Sequence, residues 1–148
     1  MSVAFRRESD EEHLEPKFEL PIPAGPNLVT ERGLALIAER LADLEARLGA
    51  AEGEERAPVL RELRYWRTRS VTATLAPAPP ADEIAFGSRV RVRMKGAERE
   101  LEIVGDDEAE PAAGRIAFSS PLARALMGAM EGEEVAFGDG IEVIAIIA

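Results

Sequence analysis

Carboxylates and arginines are the side chains with most chemistry to offer in this sequence. Glu52, Glu54 and Glu55 form one acidic group, and Asp106, Asp107 and Glu108 form another. Carboxylates this close offer hard oxygen ligands of the kind that Mg²⁺ and Ca²⁺ take. Asp106 to Glu108 lack the glycine turn and spaced ligands of a dedicated cation loop, and Glu52, Glu54 and Glu55 also read as glutamates that solvate a loop and a helix N-terminus. Arg56, Arg61, Arg64, Arg67 and Arg69 stand against a single Glu62, a basic stripe that suits either a nucleic acid or a solvated helix face. One histidine, His13, and no cysteine are present. Ser-His-Asp catalysis, multi-histidine metal sites, thiolate zinc and disulfides are therefore excluded. With 18 Lys+Arg against 28 Asp+Glu, the net charge of -10 repels bulk nucleic acid, so general duplex binding is not expected.

The elements that position these groups follow from pattern. The chain has 148 residues, 46% hydrophobic and 31% charged, enough for one compact domain or two small modules. No window approaches the roughly 18 apolar residues of a membrane span, and Met1 to Glu12 lacks the apolar run of a signal peptide. A cytoplasmic location is the expectation. Residues 1–28 read as an extended Pro-rich tail: either a loose segment, or a strap that lays Phe18, Leu20 and Ile22 on the folded body. Thr30 is a good N-cap, and Leu34, Ile37, Leu41, Leu44 and Leu48 follow at spacings of 3 and 4, with Gly49 as a stop. A second helix is expected from about Ala57–Pro58 to Leu75, with Val59, Leu60, Leu63, Trp66 and Val71 on its apolar face. The short link predicts an antiparallel coiled-coil hairpin over residues 29–75.

Prolines make residues 76–83 a linker. From Ile84 the period changes to two: Val90, Val92 and Met94 alternate with Arg89, Arg91, Arg93 and Lys95, and Leu101 and Ile103 continue a second strand beyond Lys95-Gly96. Asp106 to Gly114 reads as polar loop, Arg115 to Ser119 as a short strand, and Ser120-Pro121 as the cap and first turn of a short helix. Val135–Phe137 and Ile141–Ile147 complete an antiparallel sheet. The expected fold class is α+β, with residues 84–148 as a small sheet domain carrying one helix.

Val29-Thr30-Glu31-Arg32-Gly33-Leu34, Phe86-Gly87-Ser88-Arg89-Val90, and the blocks Ile103-Val104-Gly105-Asp106-Asp107-Glu108-Ala109 and Ser119-Ser120-Pro121-Leu122-Ala123-Arg124-Ala125-Leu126 resemble the Gre family of bacterial transcription elongation factors (GreA/GreB). The resemblance runs from Leu28 to the C-terminus. It implies a coiled-coil hairpin followed by an FKBP-like C-terminal domain that docks on RNA polymerase at the mouth of its secondary channel. On this resemblance Asp106, Asp107, Glu108, Ser119, Ser120, Pro121 and Arg124 shape the polymerase-binding face. Arg61, Arg64 and Arg67 stand where the family keeps a basic patch near nascent RNA. Acidic residues at the family's coiled-coil tip help hold the polymerase's catalytic Mg²⁺, so the factor is not itself an enzyme and has no cofactor of its own, only an indirect contact with that metal.

The sequence departs from the family at the tip, where a Gly-Asp-x-x-Glu-Asn run gives way to Glu52, Glu54 and Glu55. The arms also read as roughly a dozen residues shorter than usual, about 18 Å of reach at 1.5 Å per residue. Relatives with shortened coiled coils, such as Rnk, bind polymerase without stimulating cleavage. Expected, then, is a monomeric elongation factor that occupies the channel, with a working cleavage factor as the alternative. A prolyl isomerase or chaperone module is the rival from another class, and its aromatic lining would have to come from Phe86, Phe118 and Phe137.

Overall fold

The computed structural model describes residues 19–147, so the readings for His13 and Phe18 and most of the tail lie outside the described residues. The chain divides into two compact units. One comprises residues 37–72 with the segment ending at Gly25; the other comprises Pro26–Leu36 and the chain from Ala73 onward. The division therefore falls within the first helix and just after the second, rather than at the proline-rich stretch 76–83.

The first helix spans Glu31–Ala50, and the second, Arg56–Thr72, follows a 3₁₀ turn at Gly53–Glu55. In the helical unit Leu44, Val59 and Leu63 are buried together, with Leu41, Leu48 and Trp66 packed on them. Periodicity predicts that core well, but two of its positions fail. Leu34 is exposed, because its neighbour Gly33 is the residue of that turn that faces inward. Val71 is 84% exposed while Arg69 is only 2% exposed. At about 100° per residue, position 71 lies well outside the stripe set by Val59, Leu63 and Trp66. Leu20 and Ile22 are also exposed, so the tail segment that Glu19 ties to Arg64 buries neither of them.

The second helix stops at Thr72 because the next residues pair elsewhere. Strand β1 (Leu28–Val29) and strand β2 (Thr74–Leu75) form a parallel pair. The Thr74 amide donates to the Asn27 carbonyl at 2.9 Å and the Ala76 amide to the Val29 carbonyl at 3.0 Å. Residues assigned from pattern to tail and helix end thus make a small sheet of their own.

Five further strands, β3 (Arg89–Met94), β4 (Ala97–Val104), β5 (Arg115–Ala117), β6 (Glu134–Val135) and β7 (Ile141–Ile146), form a sheet in the order β5-β4-β3-β7-β6. Lys95 and Gly96 take φ of 52° and 79°, as a two-residue type I′ hairpin between β3 and β4 requires. The expected all-antiparallel sheet is corrected at one place. β5 runs parallel to β4, because the polar stretch 105–114 carries the chain back along the sheet before it re-enters. A register shift in the β3–β7 pairing between Arg91 and Val92 marks a bulge.

Alternation places Val90, Val92, Leu101, Ile103, Ile141 and Val143 inside, where Ile84, Ile116, Ala123, Leu126 and Ala129 meet them. The short helix Pro121–Leu126 closes over this core. On the sheet's other face, Arg93 bonds both Glu98 (3.0 Å) and Glu142 (2.8 Å), and Arg89 bonds Glu100 (3.3 Å). That face is a self-neutralised grid of cross-strand pairs.

Candidate functional site

Several sequence-predicted residues come together at one corner of the sheet unit. After β4 the chain makes a 3₁₀ turn at Asp106–Glu108, and after β5 it turns again into the short helix. The Ser119 hydroxyl donates to Asp106 Oδ1, which ties the two turns to each other. Ser120 is the N-cap: its Oγ accepts from the Ala123 amide at 3.2 Å, and Pro121 occupies the first turn. Pro121 and Arg124 are exposed on this helix. Asp106 Oδ2 is buried without a hydrogen-bond partner among the described residues. The corner thus combines an exposed capped turn, one exposed cation and one unsatisfied carboxylate oxygen. Its exposed groups, Pro121 and Arg124, can meet a partner surface, and it has no nucleophile–base arrangement.

Glu108 has a different place from its neighbours. Its side chain is 2% exposed, accepting from Thr30 Oγ1 at 2.6 Å and from Arg32 Nη1 at 3.0 Å. Thr30 Oγ1 in turn accepts from the Gly33 amide at 3.0 Å, so one hydroxyl both caps the helix and donates to the carboxylate. Any Cβ at Gly33 would lie 2.9 Å from Glu108 Oε1, closer than side chains tolerate. Gly105 is equally constrained, because a Cβ there would meet the Leu28 carbonyl oxygen at 2.4 Å. Glu108 is therefore a structural anchor for residues 30–33 and not part of an exposed docking loop. Sequence alone identified Thr30 as a cap but gave no sign of its carboxylate partner, 78 residues away.

The basic stripe of the second helix is largely engaged within its own unit. Arg64 makes a two-pronged ion pair with Glu19, Nε to Oε1 at 3.0 Å and Nη2 to Oε2 at 2.5 Å. Hydrogen bonding from Arg64, reinforced by the charges of Arg64 and Arg61, holds the Glu19 carboxyl below the usual glutamate range. Arg56 donates to the Leu48 carbonyl at 3.2 Å and the Ala51 carbonyl at 3.4 Å, closing the end of the first helix. Arg69 is buried, with its guanidinium 6.0 Å from the Tyr65 ring centre. Arg67 remains exposed. The five arginines are thus not one free surface. Trp66 packs on the helical core, with Arg40 5.6 Å from its ring centre, and is not an open stacking platform.

Glu52, Glu54 and Glu55 are all exposed. Glu55 Oε1 accepts a long 3.4 Å bond from the Glu52 amide, reaching back over the start of the turn. This geometry organises a connection between helices. Among the described residues no group of three or more His, Asp or Glu side chains is arranged to hold a metal ion.

Phe86 and Phe118 meet edge to face with ring centres 5.3 Å apart, and Phe137 packs on the sheet core. No helix among the described residues is long and apolar enough to cross a membrane.

Comparison with known proteins places the corner in context. Residues 79–147 match the family model described as transcription elongation factor, GreA/GreB, C-terminal domain. A transcription elongation factor GreA from Vibrio parahaemolyticus is 39% identical over 79 residues, covering 52% of this chain and 50% of the relative. Another from Rhizobium etli is 50% identical over 64 residues, 42% of this chain and 37% of the relative. The chain thus spans about half the length, or less, of these curated relatives. Among solved structures, GreA factor homolog 1 (Gfh1) of Thermus thermophilus aligns over 84% of this chain and all of its own, with TM-score 0.41 and 16% identity. A GreA/GreB factor from Nitrosomonas europaea aligns over 82% of this chain and 99% of its own, with TM-score 0.40 and 20% identity. With scores at that level, the likeness to this family rests on the sequence matches.

Proposed function

We propose, because residues 79–147 match the GreA/GreB C-terminal family model, that this chain binds RNA polymerase through residues 84–148 at the mouth of the secondary channel and regulates elongation there. In this reading the sheet domain is the FKBP-like docking module, and residues 29–75 are the antiparallel hairpin that projects into the channel. The observation that carries it is the position of the family match, which contains the whole corner of Asp106, Ser119, Ser120, Pro121 and Arg124. Pro121 and Arg124 would form the contact surface, on a turn that the Ser119–Asp106 bond holds in place.

Occupancy, in competition with other channel-binding factors, is favoured over stimulation of transcript cleavage. A first helix of 20 residues is about 30 Å long. Its tip carries glutamates tied into a helix connection, and the family's Asp-x-x-Glu-Asn run is missing. Mg²⁺ accepts a carboxylate only at about 2.0–2.1 Å, so a short arm leaves these groups without a role at the polymerase metal. The pairing of Arg64 with Glu19 likewise lowers the share of the basic stripe available for nascent RNA. The test is polymerase-dependent RNA cleavage in backtracked complexes, with wild type and with Glu52, Glu54 and Glu55 replaced by Ala. Little stimulation by either protein, together with inhibition of a known cleavage factor, is expected. Rapid cleavage that the triple variant abolishes would make the chain a cleavage factor. A prolyl isomerase has less support, since Phe86 and Phe118 pack on one another.

A further inference from the structure

The sheet unit carries a second surface that shares no residue with the Asp106–Arg124 corner. A groove of about 270 Å³ is lined by Thr30 and Glu31, the run Leu75 to Pro79, and Phe86, Gly87 and Glu102. We propose that this groove binds an extended basic peptide segment of a partner protein, one in which apolar residues alternate with arginine or lysine.

Three features define that ligand. The first is a strand edge. The amides of Thr74 and Ala76 bond β1, so alternation along β2 turns the N–H and C=O of Leu75 to the opposite, unpaired side. An added chain gains two backbone hydrogen bonds there, and Pro77 ends the pairing. The second is an apolar wall: Leu75 is 49% exposed, and Pro77, Pro79 and Phe86 continue the surface in a stiff frame that loses little entropy on binding.

The third is charge. Glu98, Glu100 and Glu142 on the sheet, and Glu108 and Glu110 beside it, are each bonded to an arginine. Glu102 stands between Arg89 on β3 and Arg115 on β5, yet Arg89 turns to Glu100 and Arg115 to Glu110 instead. Glu102 and Glu31 therefore line the groove with no ion-pair partner among the described residues. Two carboxylates outside any direct ion pair, beside an apolar wall, select a ligand with cations next to apolar side chains, and disfavour acidic segments and nucleic acid.

The experiment titrates the full chain into three fluorescein-labelled peptides, Gly-Val-Arg-Leu-Arg-Gly, Gly-Ser-Arg-Ser-Arg-Gly and Gly-Val-Glu-Leu-Glu-Gly, read by anisotropy. Saturable binding is expected for the first, at least tenfold weaker binding for the other two, and amide shifts at Leu75 and Gly87 by NMR. Glu31→Gln with Glu102→Gln should weaken the first peptide at least tenfold. Glu39→Gln with Glu45→Gln, which has the same net charge, should leave it unchanged. Circular dichroism of both variants confirms that they fold.

No binding of the first peptide, equal binding of the Ser/Arg peptide, or equal losses in the two double variants would overturn the proposal. So would self-association in sedimentation that Glu31→Gln with Glu102→Gln abolishes, since a second copy would then be the occupant. Polymerase docking through Pro121 and Arg124 stands or falls separately, because neither residue touches the groove.

Discussion

The helical unit buries Leu44, Val59 and Leu63 as a cluster, whereas the sheet unit buries a continuous core running from Ile84 to Val143. Charges differ in the same way. On the sheet, Arg93 and Arg89 are fixed between strands that backbone bonding already holds in register. On the second helix, the Arg64–Glu19 pair depends on a segment with exposed apolar residues. The lesson is a division of labour. The sheet unit has the packing to hold the Asp106–Arg124 corner rigid, while the helical unit has just enough apolar surface to keep two helices together.

Matched truncations break this comparison most strongly. Leu44→Ala should cost about 2–5 kcal/mol, which a three-residue core cannot absorb, so the helical unit should lose its amide protection. Leu101→Ala, with a similar cost, should lower the melting temperature while the sheet amides stay protected. Hydrogen exchange followed by NMR separates the two. Equal behaviour would show that the units do not differ in reserve.

Next in size is the Glu108 anchor. Glu108→Ala leaves Thr30 Oγ1 and Arg32 without their acceptor, at a cost of about 1–3 kcal/mol. Thermal unfolding should show the loss, and Gly33→Ala should show a comparable one through its clash with Glu108. Ser120→Ala removes the cap that the Ala123 amide uses and should cost about 1 kcal/mol, again by thermal unfolding.

The smallest effect concerns Glu19. Its pKa is lowered by Arg64, so whatever stability the pair supplies is present above the ordinary glutamate pKa and is lost as pH falls through the folded value. A carboxyl ¹³C titration should give Glu19 a midpoint below the ordinary glutamate range, and Arg64→Gln should raise it. A midpoint that Arg64→Gln leaves unchanged would mean that the pair does not form in solution.

Legibility in the sequence followed the range of the interactions. The Thr30 and Ser120 caps, the Lys95-Gly96 turn and the alternation of Val90 and Val92 with arginines depend on residues within a few positions, and all were readable. What was missed depends on partners far along the chain. Leu28 reads locally as the end of the tail and Val29 as the start of the hairpin, and only Thr74–Leu75, far along the chain, makes them a strand. Glu108 looked like one of three loop carboxylates, and Arg64 like part of a free stripe, because local pattern carries no record of Thr30 or Glu19. At the candidate site, Ser120 and Pro121 were read for the right local reason, but the link from Ser119 to Asp106 closes only in the folded domain.

The central claim is that the corner around Asp106 and Pro121 docks on polymerase, and a binding titration against core RNA polymerase tests it most directly. Pro121→Ala with Arg124→Glu alters two exposed side chains without touching the Ser120 cap or the core. Its affinity should fall at least tenfold, about 1.4 kcal/mol, while Glu31→Gln with Glu102→Gln binds like wild type. An unchanged affinity for the Pro121/Arg124 variant would place the docking surface elsewhere on the chain.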